Sequence, residues 1–215
     1  MGLSSNRANP SGIHKVFSND VLRLEIHGPD EAHLSIIDVP GIFRTTTAGV
    51  TTAADKELVR DMVESYMRNP RTVMLTVVPA NVDLATQEIL EMAKEVDPDY
   101  RRTIGVMTKP DLVDKGAEQK VVEIIEGKDS VKTLDWSIVR NLGQRDLNNS
   151  AADRAATEKQ FFIRTGPWNT LPQERRGIDS LRRRLEEVLT KHIQSEFPKV
   201  CLHCEPRNKD SNKQP

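Results

Sequence analysis

Cysteine is nearly missing: the 215 residues hold only Cys201 and Cys204. Two late thiols cannot make a disulfide framework, so the sequence fits a reducing compartment. With His203 between them and His192 upstream, they are half of a zinc site at most. We read Cys201–Pro215 as a polar tail without fixed structure. Aromatic residues are also scarce, at 4%. Trp136, Trp168, Phe161 and Phe162 are therefore expected to be packing residues. No apolar run reaches bilayer length, and no charged leader with an apolar core opens the sequence, which argues against secretion. The start, MGLSSN, misses a myristoylation pattern because Asn6 stands where Ser or Thr is required. Neither sign of charge dominates: 31 basic and 32 acidic residues give a net charge of -1. Nothing electrostatic recommends nucleic acid as a partner.

What is present is a core-forming 37% of hydrophobic residues, enough for one domain with a tail. Residues 1–12 are small and polar and read as a flexible leader. Val21–His27 alternates, with Leu22, Leu24 and Ile26 on one face. His33–Val39 reads as a second strand after a turn at Gly28–Glu31, so the two predict a hairpin. A helix is predicted over Ala53–Arg68, with Leu58, Met62, Ser65 and Tyr66 at helical spacing. Thr72–Val78 is apolar and β-branched almost throughout, the composition of a strand covered on both faces. Helices follow at Asp83–Val96, capped by Asp83, and at Ala117–Glu126, Ala151–Ile163 and Ile178–Ile193. Strands are predicted at Thr103–Thr108 and Trp136–Val139. Strands alternating with helices imply an α/β fold with a mostly parallel sheet and helices on both faces. The arginines at 175, 176 and 182–184 are read as a solvated helix face.

Ligands of such sheets sit beyond the carboxyl ends of the strands. The predicted strands carry Asp38, Thr108–Asp111 and Arg140–Asn141 at those ends. Asp38-Val-Pro-Gly41 could place a carboxylate toward Mg²⁺ and a backbone N–H toward a terminal phosphate; alone it is an ordinary turn sequence. Thr108-Lys109-Pro110-Asp111 is more selective. A carboxylate can accept from the ring N–H and exocyclic amine of guanine, a donor pair that adenine lacks, and a site built that way rejects the ligand that leaves it unpaired. The lysine stem can lie along the base. Their order, with a helix–strand–helix–strand passage between, is the order of guanine-nucleotide proteins.

The stretches LSIIDVPGIF (Leu34–Phe43), VVPANVDLATQEILEMAKEVDP and RTIGVMTKPDLVDKG resemble the dynamin superfamily, and VRNLGQRDL is similar to its last base-binding element. The resemblance spans roughly Gly12–Val200. It implies a P-loop NTPase-like G domain over residues 13–198, hydrolysing GTP to GDP and phosphate with Mg²⁺. By position, Asp38 would face the Mg²⁺, through water, and Gly41 the γ-phosphate. Thr108, Lys109 and Asp111 would read the base, Asp114 would lie at its rim, and Arg140 or Asn141 would close over it. The family implies a cytoplasmic protein with peripheral membrane and microtubule association. Ile42 follows Gly41, so the glutamine that orients water in Ras-like enzymes is not available there.

The phosphate-gripping sequence GxxxxGK[ST] does not occur. The nearest text, Gly127–Ser130, has Val122 where the first glycine belongs. Losing four or five charge-assisted hydrogen bonds at about 1.5–3 kcal/mol each would erase a micromolar site worth about 8 kcal/mol. The expectation is a G domain incomplete at its start and lacking the family's stalk at its end. It would be weakly binding, inactive alone and marginally stable. The alternative is a non-catalytic module that docks on a full-length dynamin-like protein.

Overall fold

The structure, a computed structural model, describes residues 16–29, 35–43, 45–47, 50–128, 134–143 and 150–203. The chain divides into two units, Met1–Pro70 and Arg71–Pro215. The predicted leader and the end of the predicted tail, from Cys204 onward, lie outside the described residues.

In the first unit, helix α1 spans Ala53–Met67. It starts at a reciprocal cap: the Thr52 backbone N–H donates to Asp55 Oδ2 at 2.9 Å, and the Asp55 N–H donates to Thr52 Oγ1 at 3.2 Å. Each bond satisfies a group the helix itself leaves open. Its buried stripe is Val59, Val63 and Met67, four apart. That is one position round from the expected one, with Leu58, Met62 and Tyr66 half-buried beside it. The Phe17 and Phe43 rings stack at 5.7 Å. The predicted hairpin is corrected. Residues 21–28 and 35–39 carry no strand, and the turn's far half lies outside the described residues. Leu24 is 81% and Ile36 81% exposed. A strand exists by bonding to a neighbour, and among the described residues these segments have none.

The second unit is built on three parallel strands in the order β1–β2–β3: Met74–Pro79, Thr103–Thr108 and Trp136–Ile138. Between them lie α2 (Glu88–Val96) and α3 (Glu118–Ile125), followed by α4 (Ala151–Arg164) and α5 (Ile178–His203). The helix predicted from Asp83 is split. Asp83 caps a short 3-10 turn, Leu84–Thr86, accepting from the Ala85 N–H at 3.0 Å. Gln87 is then extended before α2 begins. Helix α5 runs past its expected end at Ile193 to His203, carrying Pro198 within its last turns.

β2 is covered on both faces, as a parallel α/β sheet requires. On one side Met107 joins Val78, Trp136 and Ile138 under Val121, Val122 and Ile125 of α3 and Phe162 of α4. On the other, Ile104, Val106 and Val139 meet Leu181, Ile178, Leu185 and Val188 of α5. β1 departs from expectation: its side chains alternate, leaving Leu75 44% and Val77 52% exposed. The entry to β2 is fixed by the buried Asp97, which accepts from the Arg101 and Arg102 N–H groups and, at 2.6 Å, from Thr103 Oγ1.

The amino end of β3 is tied by charge. Arg175 donates to Asp135 Oδ1 at 2.7 Å and to the Ile125 carbonyl at 3.1 Å. Arg184 donates to Ser137 Oγ at 2.6 Å and also pairs with Asp135. Burial holds the Arg184 guanidinium below its usual pKa. Arg176 donates to the Phe162 carbonyl at 2.8 Å. The solvated-face reading therefore fits Arg182 and Arg183, which are exposed, and not Arg175, Arg176 or Arg184.

Trp136 lies directly over Gly105. A Cβ there would come within 2.5 Å of the indole Cε3 and 2.8 Å of Leu134 Cδ2. Both neighbours are buried, Trp136 at 3% and Leu134 at 5% exposed. Gly105→Ala is expected to destabilise the second unit by about 1–3 kcal/mol, read as a lowered urea midpoint with an unchanged slope.

Candidate functional site

The strand register brings three loops to one edge. Pro79 pairs with Thr108 and Met107 with Ile138. The ladder closes with Ala80 N–H donating to the Thr108 carbonyl at 2.7 Å and Val139 N–H to the Met107 carbonyl at 2.9 Å. The chain leaves the sheet at Ala80, Lys109 and Arg140, all at the carboxyl end.

After β2 the backbone turns sharply. Thr108 is half-buried and its hydroxyl donates to the Val78 carbonyl at 3.4 Å. Lys109 takes a left-handed conformation (φ 56, ψ 48) with its side chain exposed. Pro110 is fully buried and opens a 3-10 turn to Leu112. The turn is anchored by an apolar ring while its polar neighbours face outward. Asp111 presents a carboxylate that is 35% exposed. Asp114 is exposed one turn further on, where its carbonyl accepts from the Ala117 N–H at 2.9 Å.

Arg140 meets Asp111 from the end of β3. Its Nε stands 3.8 Å from Asp111 Oδ1, and the guanidinium lies over the Phe161 ring at 4.9 Å. At 3.8 Å the pair is ionic and not a hydrogen bond. Arg140 Nε is buried and has no hydrogen-bond partner among the described residues. Asn141, its neighbour, is exposed. Thr108, Lys109, Asp111, Asp114, Arg140 and Asn141 thus belong to one strand-end edge, with Asp111 and Arg140 in contact.

Asp38 and Gly41 belong to the first unit. Asp38 is exposed on a segment without regular secondary structure and not at the end of a buried strand. A Cβ on Gly41 would meet nothing within 4 Å. Among the described residues no group of three His, Cys, Asp or Glu could hold a metal ion. Magnesium is commonly held by one or two carboxylates, with waters and substrate phosphates completing its six oxygens, and the exposed Asp38 carboxylate suits a contact through water. A cavity of about 260 Å³ lined by Asp135, Arg175, Arg184 and Glu187 lies at the amino end of β3, away from this edge.

Sequence reasoning missed two residues of α4. Glu158 is 4% exposed and accepts from the Arg140 N–H at 2.8 Å. Phe161 carries the Arg140 guanidinium. A signal was available: Glu158 lies three and four positions before Phe161 and Phe162, on the face that had to be buried.

A model described as the dynamin family matches residues 3–110, and one described as the dynamin central region matches residues 120–212. An interferon-induced GTP-binding protein Mx of Epinephelus coioides is 37% identical over 193 residues, 88% of this chain and 31% of the relative. The Mx2 protein of Oncorhynchus mykiss is 37% identical over 193 residues, 88% of this chain and 30% of its own. An Mx protein of Perca fluviatilis is 37% identical over 187 residues, 86% of this chain and 62% of the relative. The chain thus spans 31% and 30% of the first two relatives.

The left-handed Lys109 costs about 1–2 kcal/mol against a glycine, partly offset by the greater freedom a glycine has when unfolded. Lys109→Gly should therefore leave stability unchanged or raise it by up to about 1 kcal/mol in chemical denaturation, although it removes the side chain from the strand-end edge.

Proposed function

The chain belongs to the dynamin family, and on that premise we propose that its second unit carries the base-reading half of a guanine-nucleotide site in a GTP-hydrolysing domain. The observation that carries the reading is the Asp111–Arg140 pair. A partly open carboxylate stands 3.8 Å from a buried N–H that has no acceptor among the described residues. Guanine presents the complement: two adjacent donors for the carboxylate and a carbonyl acceptor beside them. Adenine offers neither in that order, and leaving the carboxylate unpaired would cost it heavily.

In this reading Asp111 selects the base, and Arg140, rather than Asn141, closes beside it. The Lys109 stem lies along the ring, Thr108 ends the strand that aims them, and Asp114 borders the rim. Asp38 and Gly41 are the phosphate-side residues that the family resemblance implies, with Mg²⁺ supplying charge neutralisation when nucleotide is bound. The names of the Mx relatives describe GTP-binding proteins, which supports the ligand class. The 215 residues contain no GxxxxGK[ST], so the affinity of this chain alone is expected to be millimolar. Cytoplasmic action with peripheral membrane and microtubule association is the family-level setting.

Calorimetry or NMR titration of the 215-residue chain with GDP, ADP and xanthosine diphosphate tests the reading. GDP should bind detectably better than ADP. Asp111→Asn should weaken GDP roughly tenfold and favour the xanthine nucleotide, whose additional carbonyl accepts from the new amide. Equal binding of GDP and ADP by the unaltered chain would overturn it.

A second reading, a non-catalytic module docking on a full-length dynamin-like protein, is favoured by the exposed apolar face of β1 at Leu75 and Val77. It predicts co-sedimentation with such a relative that Val77→Asp abolishes without changing nucleotide binding. Co-sedimentation unaffected by the substitution would remove β1 from that role.

A further inference from the structure

Glu158 is a carboxylate with 4% exposure in the middle of α4. Burying such a charge is costly unless both oxygens find partners. They do, on two segments far apart in the chain. Oε1 accepts from the Arg140 N–H at 2.8 Å and Oε2 from the Ile178 N–H at 2.9 Å. Both donors are orphans of regular structure. The β2–β3 ladder ends with the Val139 N–H, so the Arg140 N–H lies beyond it. Ile178 opens α5, and its N–H has no acceptor within the helix.

We propose that Glu158 is the positioning residue of the base-reading loop, fixing the Arg140 backbone, and so the place of its guanidinium beside Asp111, against the first turn of α5. The role is defined within the guanine reading given above. Helix α4 holds Arg140 twice: Glu158 takes its main chain, and Phe161, one turn further along, takes the face of its side chain at 4.9 Å. The residue type follows from the geometry. Two N–H donors face two oxygens, and only a carboxylate accepts at both. Glutamine would turn its own NH₂ toward one of the donors. Space alone does not dictate the arrangement, since a Cβ on the adjacent Gly177 would lie 3.6 Å from Glu158 Oε2, an ordinary contact. Glycine there serves its φ of 82, and the Gly177 N–H ties the segment to β3 by donating to the Ile138 carbonyl at 2.8 Å. A cap that served α5 alone would engage only Ile178. The bond to Arg140 connects the cap to the site.

The test uses the full 215-residue chain with Glu158→Gln, and with Glu158→Asp, which keeps the charge but is too short to reach both amides. Amide hydrogen exchange at Arg140 and Ile178 is read together with the Arg140 Nε–H resonance and the ratio of GDP to ADP binding. The expected result for Glu158→Gln is at least tenfold faster exchange at Arg140 or Ile178 and a displaced Nε–H resonance. The GDP preference should fall about tenfold, while Val106 and Met107 of β2 exchange as before. Glu158→Asp should show the same changes to a smaller degree. Unchanged exchange at both amides, or uniformly faster exchange that includes β2 with no movement of the Nε–H resonance, would overturn the proposal. If the unaltered chain does not distinguish GDP from ADP, the guanine reading fails. The exchange pattern and the Nε–H resonance then still decide whether Glu158 positions Arg140.

Discussion

The in-register parallel pairing of β1, β2 and β3 is the constraint on which the rest of the second unit depends. Because all three strands run the same way, their carboxyl ends fall on one edge, and Ala80, Lys109 and Arg140 leave the sheet together. Residues remote in sequence become neighbours with no further instruction. The register in turn relies on close contact. Gly105 offers no Cβ, so the Trp136 indole can lie on β2 and join Met107, Ile138 and Phe162 in one cluster. Apolar burial on both faces of β2 supplies the driving force, and the hydrogen-bonded ladder converts it into a fixed alignment.

β3 shows how polar contacts finish what apolar packing begins. It is only 3 residues long, too short to be held by its ladder alone. Its amino end is gripped by Arg184 and Arg175 through Asp135, Ser137 and main-chain carbonyls. Its carboxyl end is gripped by the Gly177 N–H and by Glu158. Helix α5 and the segment before it take part at both ends. Surface ion pairs contribute little as a rule. These differ because their guanidinium and carboxylate groups also satisfy buried carbonyls and N–H groups, which would be expensive to leave open.

The second unit was largely legible in the sequence. Thr103–Thr108 has a composition suited only to burial, and the strand appears at those bounds. In α5 the apolar residues Ile178, Leu181, Leu185 and Val188 pack on the sheet, while Ile193, at the same spacing, is 60% exposed. The strand-end position of Thr108, Lys109 and Asp111 was legible because the strand before them could be read. What could not be read depends on partners distant in sequence. Val21–His27 alternates perfectly, yet alternation specifies a strand only when a neighbour is available to bond it. β1 has the composition of a central strand, but which face is covered is decided by other elements. The buried roles of Glu158, Arg175 and Arg184 carry no local signature, since the same letters on another helix would be solvated. The α1 stripe was displaced by one position because Leu58, Met62 and Val59, Val63 are both apolar pairs, and the sequence does not say which row faces inward.

The placing of the two tryptophans has an optical consequence. Trp136 and Trp168 are 3% and 2% exposed and belong to the same core cluster of the second unit, and the sequence has no other tryptophan. Intrinsic indole emission is therefore a gauge of that cluster alone. The first unit, which carries α1 and the Asp38–Gly41 segment, is spectroscopically silent at these wavelengths. A single tryptophan introduced there would give it a signal of its own.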